Sequence, residues 1–423
     1  MVYVAIPAMD EAGLAQRLLA LNGQTLLPQR VCVCINQPRA YHTDGLPEHE
    51  RVCNVNENVY SQLQTLQSEG RFLFSLEILD CFSKDKAWDD RHAGVGQARR
   101  TAMDFLSSQC GQNPLPTHIL VCMDADTHYP DDYIENIQKQ FDAFPQAVGL
   151  ANPYYHTPEQ ENLPEVQQMA IFHYEVYMRA FALNMILSGH PYAFTAIGSS
   201  MACRMKAYRK IGGISPVRSG EDFYFLQKLA KTGPLIVHSD AVSHPSSRLS
   251  GRVDFGTGPA LRKGMENRWE SYPVYPPGLF EKMRCAYAAL PGLFESGEPT
   301  SALDFWQAAF GADWWVNLRR NSGGRKEQFI RACKEKFDAL RSLQFLKANY
   351  KQDDKDDWRN ICRLYRLLEA AGFEDNRIEV LCGSHSIHSL ADLKRQDWKE
   401  LREYLFLCER RWRSRHPLLS VFQ

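Results

Sequence analysis

The 423-residue sequence predicts an α/β fold: a mixed, mainly parallel sheet flanked by helices, followed by a C-terminal helical region. Three observations lead there. Short apolar runs that suit buried strands alternate with helix-patterned stretches. Several of these runs end abruptly in polar or acidic residues, as in "HILVCMDADTHYPDDYI", residues 118–134. From about residue 300 the text changes to charge-rich helical segments carrying Trp and Phe, such as "KEQFIRACKEKFDALRSLQFLKANY".

In order, residues 2–6 of "VYVAIPAMDEAG" read as a strand that turns at Pro7, with Asp10 capping a helix through "LAQRLLALNGQ". "RVCVCIN", residues 30–36, is a second buried strand, and strand–helix–strand opens a parallel layer. Residues 37–58 are polar and aperiodic and predict a loop. "LFSLEILD", 73–80, is a third strand, and "GVGQARRTAMDFLSSQC", 94–110, a helix with Gly at its start. The run Ile119–Met123 is a strand, and "AVGLANPYY" another. "VQQMAIFHYEVYMRAFALNMIL" is a long apolar helix. A strand up to Cys203 leads into a short helix before Gly212 and Gly213. "SGEDFYFLQKLAKTG" is a compact helix with Ser219 as N-cap and Gly233 beyond its end. "LIVHSDAVSHP" is the last strand. The Pro/Gly-rich stretch at 272–282 marks a boundary. The expected division is 1–270 for the α/β domain and 271–423 for the helical region, whose role the sequence leaves open.

Composition excludes some classes. With 49 basic and 50 acidic residues the net charge is −1, which gives no overall pull toward nucleic acid. No apolar run reaches the roughly 18 residues of a membrane span, and the N-terminus carries no export-signal pattern. Twelve cysteines lie scattered, many in apolar contexts, and no Cys-x-x-Cys pair occurs. They read as reduced thiols of a cytoplasmic protein. Cys32 and Cys34 share one strand face, and burial explains them better than zinc or redox chemistry.

Asp124-Ala125-Asp126 at a strand end has three readings. It could be a solvated turn or cap. It could be the nucleophile motif of a haloacid-dehalogenase-type phosphatase, but position 128 is His where Thr or Val is needed. It could hold a divalent cation bound to a nucleoside diphosphate, since carboxylates are hard oxygen ligands suited to Mg²⁺ or Mn²⁺.

Context favours the third. "IPAMDEAG", a strand ending in Asn36, the glycine-led helix "GVGQARRTAM", the acidic pair, and "GGISPVRSGEDFYFLQKLAKTG" occur in that order. Together they resemble the GT-A-fold glycosyltransferases of family 2 over roughly residues 1–260. Asp10 stands where that family usually has Asn, Asn36 where it often has Asp, and Arg100 where it has Asn. These departures leave the base and sugar of the donor open.

The resemblance implies a metal-dependent transfer of a sugar from a nucleotide-sugar donor to an acceptor hydroxyl, expected with inversion. It implies that Pro7, Ala8 and Glu11 line the nucleoside pocket, with Asn36 and Arg99 nearby. It gives Asp124 to the ribose or the metal, Asp126 to the metal, and Asp222 the role of catalytic base, with Glu221 next in line. Plainer readings stand beside these. Glu11 and the pair Glu221–Asp222 suit the first turn of a helix for dipole reasons alone, and Arg99 could face solvent. His244 is either a third metal ligand or an ordinary loop histidine.

Two segments add expectations. "HPSSRLSGRVDFGTGPAL", 244–261, lacks periodicity and carries Gly251, Gly256 and Gly258, so it reads as a mobile lid whose Arg248 and Arg252 close over the donor diphosphate. The tail "ERRWRSRHPLL" sets Arg410, Arg411, Arg413 and Arg415 around Trp412. It reads either as a solvated helix end or as a peripheral contact with the anionic inner face of a membrane, useful to a lipid-linked acceptor. Other acceptors in view are a carbohydrate or a small molecule. The rival functions are a nucleotidyltransferase, which lacks here its Gly-rich basic first loop, and a catalytically silent scaffold that binds a sugar or partner.

Overall fold

The computed structural model describes residues 1–249 and 256–422. The chain forms two compact units, one of residues 1–168 and 195–262, the other of 169–194 and 263–423. The division therefore falls at 262 rather than at 270. It also takes residues 169–194 out of the first stretch of sequence, because most of the long apolar helix belongs with the helical unit.

The first unit is built on a sheet of β1 (Val2–Ala8), β2 (Arg30–Asn36), β3 (Ser75–Cys81), β4 (Ile119–Cys122), β5 (Gly149–Ala151), β6 (Met201–Arg204) and β7 (Leu235–Ile236). Their spatial order is β3-β2-β1-β4-β6-β5-β7. β1 runs parallel to both β2 and β4, β2 is parallel to β3, and β7 to β5, while β6 is antiparallel to β4 and β5. Val4, Val31–Cys34 and Ile119–Cys122 are wholly buried, which is why these strands read as continuous apolar runs.

Helix α1 (Leu14–Ala20) connects β1 to β2, α2 (Pro47–Ser68) connects β2 to β3, and α3 (Val95–Ser108) connects β3 to β4. The first two connections build the sheet outward from one side of β1. The third returns across β1 to place β4 on its other side. The loops after β1 and β4 therefore diverge at the strands' C-terminal ends and leave a crevice, the usual ligand position in open α/β sheets. Beyond β4 come α4 (Tyr133–Ala143), α5 (Glu165–Leu187), α6 (Met205–Lys210), α7 (Glu221–Ala230) and α8 (Thr257–Met265).

Several local expectations are corrected. Strand β1 continues through Pro7 to Ala8. Asp10 does not cap α1: it sits at φ +60°, its carboxylate takes two bonds from Arg51 at 2.7 and 2.6 Å, and Gly13 occupies the N-cap. Residues 37–46 are irregular apart from a short 3-10 turn at Arg39–His42, but 47–58 are not a loop: they open the 22-residue α2, which starts with Pro47 at a position that needs no N–H. Its buried stripe is only Val52, Asn56, Val59 and Leu63. The N-cap of α7 is Gly220, at φ +75°, rather than Ser219. The last strand is two residues long, and the chain after it is held by isolated bridges at Ser243 and His244.

The second unit is helical, with long helices at Pro277–Ser296, Asp357–Ala370 and Arg395–Arg415. Its core centres on Trp306, which stacks on Phe337 at 4.4 Å between centroids and meets Trp314 edge-on. A buried ionic cluster accompanies it: Glu409 accepts from Arg179 and from Arg413, both at 2.8 Å. Arg413 also donates to the Ala193 carbonyl, so one of the tail's arginines faces inward rather than toward a membrane surface. Among the described residues no helix is long and apolar enough to cross a membrane, and all twelve cysteines are free thiols.

Candidate functional site

The crevice between β1 and β4 is lined with charge. β4 delivers Asp124 and Asp126 just past its last apolar residues, Cys122 and Met123. The turn that follows is tied down by Tyr129. Its hydroxyl accepts the Asp124 backbone N–H at 2.9 Å and donates to the Ser199 carbonyl at 3.0 Å. No spacing or charge pattern in the sequence marks Tyr129 as a clamp.

Arg99 reaches the site from α3. This helix packs Ala98, Ala102, Met103 and Leu106 inward, so Arg99 on the same side is only 1% exposed. One terminal nitrogen donates to Asp124 and to the Gly198 carbonyl, each at 2.9 Å, and Nε donates to Glu221 at 3.3 Å. Burial opposes the charge on Arg99, but the two carboxylates more than offset this and keep the guanidinium protonated. A side chain at Gly198 would meet that guanidinium, so Arg99 would have to shift to admit it. Gly96, one turn earlier on α3, lets the helix approach the Val217 carbonyl, which a Cβ would overlap.

The two acids that open α7 differ. Glu221 is 4% exposed and paired with Arg99; burial pushes its carboxyl up to about 7 while Arg99 pulls the other way. Asp222 is half-buried, and its carboxylate takes the Phe223 N–H at 2.7 Å. Burial raises its pKa as well, with that backbone bond and Arg99 acting against the rise. Of the two residues, Asp222 is the less buried as a whole.

Across the crevice Arg248 joins the loops after β1 and β4. Its Nε donates to Asp126 at 3.1 Å, and its Nη2 lies 2.9 Å from the same carboxylate and also pairs with Glu11. Arg248 is carried here by the segment after β7. His244 of that segment forms a two-way backbone bridge with His128 at 2.9 Å in each direction. The His244 Nδ1 meets the Tyr155 carbonyl at 2.7 Å, so Nδ1 carries the proton and Nε2 the lone pair of the neutral ring. Ser246 and Ser247 are fixed by Glu161, and Gln167 donates to the Ser247 carbonyl at 2.6 Å. The start of the expected lid is thus anchored. Residues 257–261 belong to α8, whose Pro259 lies in the first turn, where proline is tolerated. Gly251 and Arg252 lie outside the described residues.

The structure links Glu11, Arg248 and Asp126 in one ionic group and Arg99, Asp124 and Glu221 in another, with Asp222 next to Glu221, while the His244 ring meets the Tyr155 carbonyl and the His128 ring. Pro7 and Ala8 are buried within β1. Asn36 is 3% exposed, and its amide N–H donates to the Ala8 carbonyl at 2.9 Å, so it joins the ends of β1 and β2 rather than offering a free edge to a ligand.

No three His, Cys, Asp or Glu side chains converge as a metal cage among the described residues. What the crevice does offer is a hard oxygen donor, Asp126, already engaged by a cation in the form of Arg248. An oxygen donor of this kind is the type that Mg²⁺ or Mn²⁺ takes when phosphate oxygens and water supply its other ligands.

No protein-family model matches the chain, and no curated protein does. Among solved structures, the crystal structure of S. aureus TarS is similar at 13% identity with a TM-score of 0.37. The match covers 83% of this chain and 55% of that one, so the chain spans about half the length of TarS. At that identity and score the likeness assigns neither activity nor ligand.

Proposed function

We propose that the chain is a glycosyltransferase that moves a sugar from a nucleotide-sugar donor to an acceptor hydroxyl at the crevice between β1 and β4. The single observation that carries this reading is the buried Arg99. It locks the acid that ends β4, Asp124, to the acid that opens α7, Glu221, and so sets Asp222 beside the strand ends where a ligand would lie.

On this reading Asp124 and Asp126 face the donor's ribose and diphosphate. Asp126 would hold a divalent ion, Mn²⁺ or Mg²⁺, with His244 as a further ligand. When bound, that ion supplies positive charge against the negative charge that gathers on the departing diphosphate. Arg248 lies within reach of the same phosphates. Asp222 accepts the proton of the acceptor hydroxyl as its oxygen bonds to the anomeric carbon and the bond from that carbon to the diphosphate breaks. A direct attack of this kind inverts the anomeric centre. Tyr129 and Arg99 hold the acidic loop in place while charge moves past it.

The test is turnover. The purified full chain, incubated with a panel of nucleotide sugars and Mn²⁺, should release nucleoside diphosphate from at least one of them, by slow hydrolysis where the acceptor is missing. Release should stop in Asp126→Ala. A protein that turns over none of the panel and binds none of the matching nucleoside diphosphates is not this enzyme.

A further inference from the structure

Arg248 sits where a cation would sit. Its guanidinium lies against Asp126 through two nitrogens, at 3.1 and 2.9 Å, and against Glu11 on the opposite loop. Burial works against its charge, and Asp126 and Glu11 restore it. Both nitrogens lie on one oxygen of Asp126, Oδ2, and a guanidinium and a divalent ion held by one carboxylate repel each other in a partly desolvated crevice. We propose that Arg248 is an exchangeable counter-cation: it neutralises Asp126 and Glu11 and competes with a divalent ion for Asp126.

This rests on the proposed role of Asp126 and goes further, because it assigns Arg248 two successive partners. The displaced guanidinium remains on the anchored segment Ser246–Ser247 and so stays near the crevice. A planar fork of donors released beside a diphosphate is well suited to bind its oxygens in two places at once. The exchange makes ion and donor binding cooperative. The ion alone has to evict Arg248, whereas ion and diphosphate together give the arginine a new partner. Glu11 then serves as the anchor that holds the guanidinium at the crevice mouth, a part that its place in the first loop did not reveal.

The experiment measures Mn²⁺ binding to the full chain, with no donor present, from the loss of the free-ion magnetic resonance signal. Arg248→Gln should bind Mn²⁺ at least tenfold more tightly than the unchanged protein. Arg248→Lys, which keeps the charge but lacks the fork, should fall between them. Adding Asp126→Asn to Arg248→Gln should remove the gain. Adding a nucleoside diphosphate should tighten Mn²⁺ binding in the unchanged protein much more than in Arg248→Gln. Equal Mn²⁺ affinity in the unchanged protein and Arg248→Gln overturns the exchange while leaving Asp126 as a metal ligand. A gain that survives Asp126→Asn overturns it too. No Mn²⁺ binding to any of these proteins, with or without nucleotide, removes the metal itself and the exchange with it.

Discussion

Arg99 donates to Asp124 at 2.9 Å from a position that is 1% exposed, so a buried cation on α3 fixes the direction of the acid that ends β4. Removing one partner of a buried pair leaves an uncompensated charge and typically costs about 3–5 kcal/mol. Arg99→Met should destabilise the chain by about that much in chemical denaturation. Combining it with Glu221→Gln should recover part of the loss, since a second stranded charge is removed. A cost under about 1 kcal/mol for the single change would mean that the pair does not organise the site.

Asp222→Asn keeps the size of the side chain and its acceptance of the Phe223 N–H, but it cannot take up a proton. Once a turnover assay exists, kcat should fall on the order of a hundredfold or more, as for loss of a general base, with nucleoside diphosphate affinity little changed. Glu221→Gln should act differently, through fold stability and the orientation of Arg99. Equal kcat losses from both changes, with stability unaltered, would move the base to Glu221.

Stability should depend on pH through the same two acids. Burial raises Glu221 from 4.5 to about 7 and raises Asp222 in the same direction. The folded chain then holds these protons more tightly than the unfolded chain. The Glu221 contribution is complete below its unfolded value near 4.5 and is lost as pH rises through about 7, and Asp222 acts in the same direction. In Glu221→Gln the decline between those values should be shallower, with Asp222 supplying what remains. A decline of unchanged steepness, followed by denaturant titrations at each pH, would show that Glu221 is not the group responsible.

Two glycines offer a steric test. Gly198→Ala places a methyl against the Arg99 guanidinium, and Gly96→Ala places one against the Val217 carbonyl. Overpacking of this sort costs about 1–3 kcal/mol. Gly198→Ala should also weaken ligand binding, because it displaces Arg99 from Asp124. Gly96→Ala should affect stability first. Thermal melts and calorimetry of the two variants separate these effects.

What could be read from the sequence follows from burial. β1, β2 and β4 are covered on both faces and so appear as unbroken apolar runs, and the acids that terminate β4 stand out against them. Helix α2 was hidden because its buried stripe is a single residue wide and includes Asn56, which is buried for its hydrogen bonds to the Asn36 carbonyl and Gln37. Tyr129 could not be foreseen as a clamp, since its partner Ser199 is 70 residues away. The inclusion of residues 169–194 in the helical unit was equally hidden, because it depends on contacts such as Arg179–Glu409 across 230 residues. The sequence led to an expectation of Arg248 over a diphosphate, but its pairing with Glu11 joins positions 237 residues apart and leaves no local trace.

The most direct measurement is calorimetric titration of the full chain with a panel of nucleoside diphosphates, in Mn²⁺ and again in a chelator. The expected result is saturable binding of at least one of them in Mn²⁺, weakened at least tenfold by the chelator and by Asp126→Ala, with the folded state of that variant unchanged. Absence of binding across the panel, or binding that is indifferent to both the chelator and Asp126→Ala, would contradict a nucleoside-diphosphate site at the crevice between β1 and β4.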